Sequence, residues 1–191
     1  MKKPLLVFDF FGVVVGEVAH KWLHENMSKE ESTKIINTLF VSVDDGRITP
    51  NDCFNALSEL TKVPAKDIEK AWIKNGFLRT DTYKFLTENK HKYHIVLLST
   101  AGKSFVDKFF DMYNIDHFFM KKYISSELKM AKPDAKIFQY VLDDNAGSFD
   151  IAVMIDDSEK NIINAKKVGM EGIVYTSMDQ TESELERIFS N

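Results

Sequence analysis

Apolar residues along this chain fall into two patterns, short unbroken runs and longer stretches with apolar positions three and four apart. Residues 4 to 9 (PLLVFD) form an apolar run closed by an acid, and similar runs recur at 94 to 99 (HIVLLS), 151 to 157 (IAVMIDD) and 172 to 176 (GIVYT). An unbroken run, unlike a period-two alternation, predicts a strand covered on both faces, as in the middle of a parallel sheet. Between the runs the pattern turns helical. Residues 134 to 144 place Ile137, Phe138, Val141 and Leu142 on one stripe, with Pro133 set to start the helix. Residues 158 to 168 run from Ser158 as a cap to Gly169 as a stop, and 103 to 113 (KSFVDKFFDMY) form another amphipathic helix. Strand and helix in alternation predict an α/β fold, a three-layer sandwich around an open, parallel, Rossmann-like sheet.

Residues 16 to 79 break this rhythm. Helices are expected at 18 to 26, 28 to 41, 50 to 61 and 65 to 75, with Ser28 and Thr49 as starts and breaks at Asp44-Asp45-Gly46 and Val63-Pro64. The expectation is an α/β core built from residues 1–15 and 80–191, with residues 16–79 forming a small helical cap over one edge of the sheet.

Composition narrows the partners. The 191 residues, 44% hydrophobic and 28% charged, suffice to bury a core without staples. A formal charge of −4 offers no basic surface to nucleic acid or an anionic membrane. One cysteine, Cys53, leaves no intramolecular disulfide and no cysteine-based metal cluster. The opening MKKPLLVFDFFGVVV imitates a signal peptide, but Asp9 interrupts its apolar run and no small-residue cleavage site follows. No apolar run reaches the about 20 residues of a membrane span. A buried strand is the better reading of this segment, and the cytoplasm is the expected compartment.

Four segments carry chemistry: Val7-Phe8-Asp9-Phe10-Phe11-Gly12-Val13, Leu97-Leu98-Ser99-Thr100, Lys129-Met130-Ala131-Lys132-Pro133-Asp134 and Met154-Ile155-Asp156-Asp157-Ser158. Each sets a polar group at the end of a strand or the start of a helix, where the crevice of an open parallel sheet gathers ligands. Carboxylates, a hydroxyl and a lysine converging there suit phosphoryl chemistry: the acids hold a hard cation such as Mg²⁺, and the lysine and hydroxyl bind phosphate oxygens.

In order and content these segments resemble the haloacid dehalogenase-like hydrolases, in the branch with a helical cap. The stretches SSELKMAKPDAKIFQYVL and IDDSEKNIINAKKVGMEGIVY are similar to that branch's wording, and the resemblance covers essentially the whole chain. It implies Asp9 as the nucleophile that forms an aspartyl-phosphate, Ser99 and Lys132 on the transferring phosphoryl group, and Phe11, Gly12 and Thr100 in the phosphate-binding surround. It also implies Mg²⁺ held by Asp9, the backbone carbonyl of Phe11 and Asp157, with Asp156 as an outer or alternative ligand. The implied substrate is a small phosphorylated metabolite, a sugar phosphate or nucleotide-like compound.

One position departs from the family pattern. Family phosphatases carry a second aspartate two residues after the nucleophile, and here that residue is Phe11. Such an acid–base group is worth about 10²–10⁴ in rate. Glu17, with His20 and His24 nearby, is the expected substitute. His20 and His24 lack the neighbouring glutamate of a zinc motif. Trp22, Arg47, Trp72 and Arg79 are candidate pocket residues, although packing or surface pairing explains each one alone. Two other activities fit parts of the pattern. Carbon–halogen hydrolysis suits an aromatic at Phe11 but has no use for the Asp156-Asp157 pair, and an inactivated binding scaffold suits Phe11 but not the intact acids and lysine.

Overall fold

The computed structural model describes residues 2–190. Five strands, β1 (Leu5–Phe8), β2 (His94–Ser99), β3 (Lys121–Ile124), β4 (Ala152–Asp156) and β5 (Glu171–Val174), form one open sheet in the order β3-β2-β1-β4-β5. All four pairings are parallel. Strand β1 sits at the centre and all four of its residues are buried. Parallel strands need helical crossovers, and these cover both faces. Leu6, Phe8, Ile95, Leu97, Val153 and Ile155 pack towards α6 (Thr80–Asn89), α7 (Lys103–Tyr113) and α11 (Met178–Phe189). Leu5, Val7, Val96, Leu98 and Met154 pack towards α9 (Ala135–Asp144) and α10 (Glu159–Lys167). The architecture is a three-layer α/β sandwich.

The elements between β1 and α6 are all helical: α1 (Ala19–Asn26), α2 (Lys29–Ile35), a π-helical turn (Ile36–Phe40), α3 (Val41–Asp44), α4 (Pro50–Thr61) and α5 (Ala65–Asn75). Ser28 and Thr49 start α2 and α4 with reciprocal capping boxes to Glu31 and Asp52, which satisfies the free N–H groups of the first turn. The chain enters and leaves this segment side by side. Gly16 N–H donates to the Phe77 carbonyl at 2.8 Å and Arg79 N–H to that of Val14 at 3.0 Å.

Several sequence expectations are corrected here. Strand β3 was not anticipated, because it is an edge strand with Lys121 and Lys122 exposed and only Tyr123 and Ile124 buried. Helix α9 starts at Ala135, with Asp134 accepting from Lys136 N–H at 2.9 Å, so the cap is the aspartate rather than Pro133. Ser158 holds the cap position of α10 but makes no side-chain cap bond; the Asp156 carboxylate takes its N–H instead, at 2.8 Å. The helix expected over 28 to 41 is interrupted by the π-helical turn. A short helix, α8 (Ser125–Leu128), precedes the lysine segment.

Candidate active site

The β1–β4 register pairs Phe8 with Ile155, which brings Asp9 level with Asp156 at the carboxyl ends of neighbouring strands. The Asp9 N–H extends that ladder to the Ile155 carbonyl at 2.9 Å. Between the two acids lies Lys132, its Nζ 2.7 Å from Asp9 Oδ1 and 2.6 Å from Asp156 Oδ2. All three residues are buried. Thr100 at the end of β2 holds the lysine in place, accepting the Lys132 backbone N–H at 3.0 Å.

Asp156 is fully engaged by the protein. Besides Lys132 it accepts Ser158 N–H, and both of its oxygens lie 2.9 Å from Asn161 Nδ2. Asn161, one turn into α10, escaped the sequence reading, although Asp-Asp-Ser followed by an amide on the next helical turn was a usable signal. Asp9 Oδ1 takes the lysine and the Phe10 N–H. Asp157 carries its carboxylate to the rim, and oxygens of Asp9, Asp156 and Asp157 all lie within 4.8 Å of one another.

Gly12 makes room for this cluster. Its φ is +91°, and a Cβ there would collide with Asp157 Oδ2. The Gly12 N–H donates to the Val15 carbonyl at 2.7 Å. In the same turn the Phe10 carbonyl accepts from both Val14 and Val15, and no N–H of the described residues donates to the Phe11 carbonyl.

Burial pushes the Asp9 carboxyl up to about 7, with Lys132 opposing and Asp156 adding to the rise. Burial would depress the Lys132 ammonium, yet Asp9 and Asp156 lift it above its ordinary value. Asp157 is likewise raised, by partial burial and then by Asp156. Once ionised, three carboxylates around one ammonium leave two negative charges uncompensated, and the raised Asp9 and Asp157 reflect that excess. Oxygen donors with that deficit fit a hard divalent cation such as Mg²⁺. The residues that could hold it are Asp9, Asp157 and, by its backbone carbonyl, Phe11, with Asp156 braced behind the two acids.

A cavity of about 440 Å³ opens over Asp9 and Asp157 and runs beneath the helical segment. Phe11, Glu17, His20, Thr100 and Trp72 line it, as does Asp44, which the sequence reading had treated only as part of a break. Burial, then Asp45, pushes Asp44 up to about 7. Glu17 is in the right place, but its oxygens accept the N–H groups of Ala19, His20 and Lys21 and pair with His20 Nδ1 at 3.1 Å. Burial would raise Glu17, yet the bonds to His20 dominate and hold it below its ordinary value. His20 is raised by that same hydrogen bond.

Ser99 lies outside the cavity lining. Its hydroxyl is fully buried at the end of β2 with no hydrogen-bond partner among the described residues. Trp22 is buried in the core, Arg47 pairs with Asp45, and Arg79 stacks over the Tyr175 ring, so of the four pocket candidates Trp72 alone lines the cavity.

Comparison with known proteins places the chain in a family. The profile of the haloacid dehalogenase-like hydrolases matches residues 19–175, most of the chain. The chain belongs to that family. Among curated relatives, a sesquiterpene phosphatase, astK, of Aspergillus oryzae is 25% identical over 182 residues, 91% of this chain and 93% of that protein. Drimenol cyclase drtB of Aspergillus calidoustus is 27% identical over 154 residues, 76% of this chain but 29% of the cyclase, so the chain spans less than a third of that relative. The crystal structure of a family enzyme from Bacteroides thetaiotaomicron matches with a TM-score of 0.75 at 25% identity, over 93% of this chain and 95% of that one. The same enzyme in complex with magnesium and inorganic phosphate gives 0.74 at 26% identity, over 93% and 96%. This hydrolase therefore shares its fold with an enzyme that takes a metal ion and phosphate.

Proposed function

We propose that this hydrolase is a magnesium-dependent phosphatase that passes the phosphoryl group of a small monoester first to Asp9 and then to water. The observation that carries the proposal is the Lys132 ammonium bridging Asp9 and Asp156 at 2.7 and 2.6 Å with Asp157 beside them. That set has the charge deficit of a divalent cation site, which favours phosphoryl transfer over carbon–halogen hydrolysis, whose halide leaving group requires no such cation. The resemblance to a phosphatase over 91% of the chain supports the same reaction.

Asp9, Asp157 and the Phe11 carbonyl would hold Mg²⁺, which would supply positive charge against the non-bridging oxygens of the transferring phosphoryl group. Lys132 orients the Asp9 carboxylate and compensates charge on the incoming phosphate. The Asp9 carboxylate attacks phosphorus, the bond from phosphorus to the ester oxygen breaks, and that oxygen leaves with a proton as the alcohol. Water then attacks phosphorus, which releases phosphate and restores Asp9. The Ser99 hydroxyl is buried without a protein partner among the described residues and lies outside the cavity lining, so its donation to the phosphoryl group requires the site to open towards the end of β2. The proton for the leaving oxygen comes from His20, oriented by Glu17 at 3.1 Å, because Glu17 itself is held ionised. Residues 16–79 act as the cap that closes over the cavity and limits water, and residues 1–15 with 80–191 form the catalytic core. The enzyme works in the cytoplasm on a soluble or surface-presented ester; its single thiol, Cys53, is buried and free.

The test is phosphate release from a panel of monoesters and acyl phosphates, with Mg²⁺ and with a chelator, for the wild type and Asp9→Asn. Metal-dependent release that Asp9→Asn abolishes is the expected result. Release that survives in Asp9→Asn, or that ignores the metal, would remove Asp9 or the cation from the reaction.

A further inference from the structure

We infer that the alcohol part of the substrate is apolar, a hydrocarbon chain seated against an aromatic wall that begins beside the nucleophile; this deepens the phosphatase reading and rests on it. The wall starts at Phe11, two residues past Asp9. The Phe11 ring stacks on Phe105 at 6.1 Å, and Phe105 meets Phe54 at 5.7 Å and Trp72 at 5.9 Å, edge to face. Phe54 and Trp72 meet at 5.1 Å, and Phe40 closes on Trp72 at 5.5 Å. All five rings line the 440 Å³ cavity. They come from the turn after β1, from α7, α4 and α5, and from the π-helical turn. Core packing alone would bury these rings against one another. Here they also share an open cavity over the reacting carboxylate, of a size that holds a small ligand (about 300–1,000 Å³).

Charge and hydrogen bonding point the same way. Four acids, Asp9, Glu17, Asp44 and Asp157, line the cavity, and among the described residues no lysine or arginine does. A second phosphate or a carboxylate on the substrate would meet these acids, with His20, already paired to Glu17, as the lining side chain among the described residues that can carry positive charge. A sugar would need partners for each of its hydroxyls, and polar groups near the nucleophile already have protein partners, which leaves Asn37 and Asp44 beside the five rings. Glu17 is paired to His20 and the first turn of α1, and Thr100 to Lys132. A hydroxyl buried against ring faces loses its water without compensation. A hydrocarbon loses nothing there, and gains by leaving water. The sugar phosphate or nucleotide expected from the sequence is therefore the poorer fit.

The test is a chain-length series of n-alkyl phosphates, propyl to octyl, hydrolysed by the full chain with Mg²⁺, alongside glucose 6-phosphate, phosphocholine and acetyl phosphate. Each added methylene that becomes buried should raise kcat/KM by about two- to fourfold until the cavity is filled. Hexyl phosphate should exceed both glucose 6-phosphate and phosphocholine. Ile36, half-buried, also lines the cavity, and Ile36→Trp puts an indole into that space and should lower the octyl-to-propyl ratio. A flat series, a preference for the sugar or the choline ester, or an unchanged ratio in folded Ile36→Trp overturns the apolar seat while phosphate release leaves the phosphatase reading standing. Release from none of the compounds, acetyl phosphate included, overturns both.

Discussion

Replacing Gly12 by alanine separates the backbone cost of the turn after β1 from its role at the metal site. Gly12 has φ +91°, and Gly169, after α10, has φ +92°. The left-handed backbone costs an L-residue about 1–2 kcal/mol, so both Gly12→Ala and Gly169→Ala should lose about that much stability. Only at Gly12 would the new Cβ strike Asp157 Oδ2; at Gly169 it meets nothing within 4 Å. Gly12→Ala must therefore also displace the Asp157 carboxylate from its position. Disturbing a metal ligand's support typically weakens binding by about 10–100-fold. At a Mg²⁺ concentration of about 100 times Kd, the wild type gains about 2.7 kcal/mol from the ion, and a variant with Kd raised about 100-fold gains about 0.4 kcal/mol. For a chain of this size the corresponding rise in Tm on adding Mg²⁺ is about 5–11 °C for the wild type and about 1–2 °C for Gly12→Ala. Thermal unfolding followed by circular dichroism, with Mg²⁺ and with chelator, measures both. Gly169→Ala should keep the full magnesium shift. A Gly12→Ala protein that keeps it too would refute the placement of Asp157 on the cation.

Other substitutions probe the same constellation. Lys132→Met leaves Asp9 and Asp156 facing each other without their shared cation, and should cost about 3–5 kcal/mol in urea unfolding of the metal-free protein; a cost near zero would mean that the bridge is not formed in solution. Asn161→Leu removes the amide that holds both oxygens of Asp156 and should lose about 1.5–3 kcal/mol, with a fall in metal affinity measurable by calorimetry. His20→Gln should slow hydrolysis of alkyl phosphates by about 10²–10⁴ and leave p-nitrophenyl phosphate, whose leaving group needs little protonation, much less affected. Because the His20 pKa is raised above its usual 6.5 and the donor must carry its proton, the alkyl phosphate rate should fall as pH rises through that raised value. A pH–rate profile without this limb, or one that His20→Gln leaves unchanged, would remove His20 from the step.

The sequence made some of this legible and hid the rest for physical reasons. Asp9 and Asp156 stood out because each ends a fully buried parallel strand, where a carboxylate is costly without a purpose. Lys132 was readable from its place before a helix start, and the structure brings it between the two acids. The helix starts at Ser28 and Thr49 were legible because a cap is a local pattern of a few residues. Strand β3 was not, since an edge strand with two exposed lysines carries no apolar run. The division of labour between Asp156 and Asp157 was also hidden. Adjacent in sequence, they point to different neighbours, one into the Lys132–Asn161 network and the other to the rim beside Gly12. The aromatic wall could not be read from any window, because its rings lie far apart in the chain and meet only when the helical segment folds back over the sheet. Glu17 was found by its distance from Asp9, but only the structure shows its oxygens already spent on the start of α1 and on His20.

The account turns on a phosphoryl group reaching Asp9, and trapping it there is the most direct measurement. The enzyme is mixed with Mg²⁺ and an alkyl phosphate, quenched in acid within the first turnover, digested and read by mass spectrometry. The account predicts that the peptide containing Asp9 gains the mass of one phosphoryl group, that hydroxylamine removes it, and that chelator or Asp9→Asn prevents it. Phosphate release with no label at Asp9, or with the label on another residue, would contradict the account.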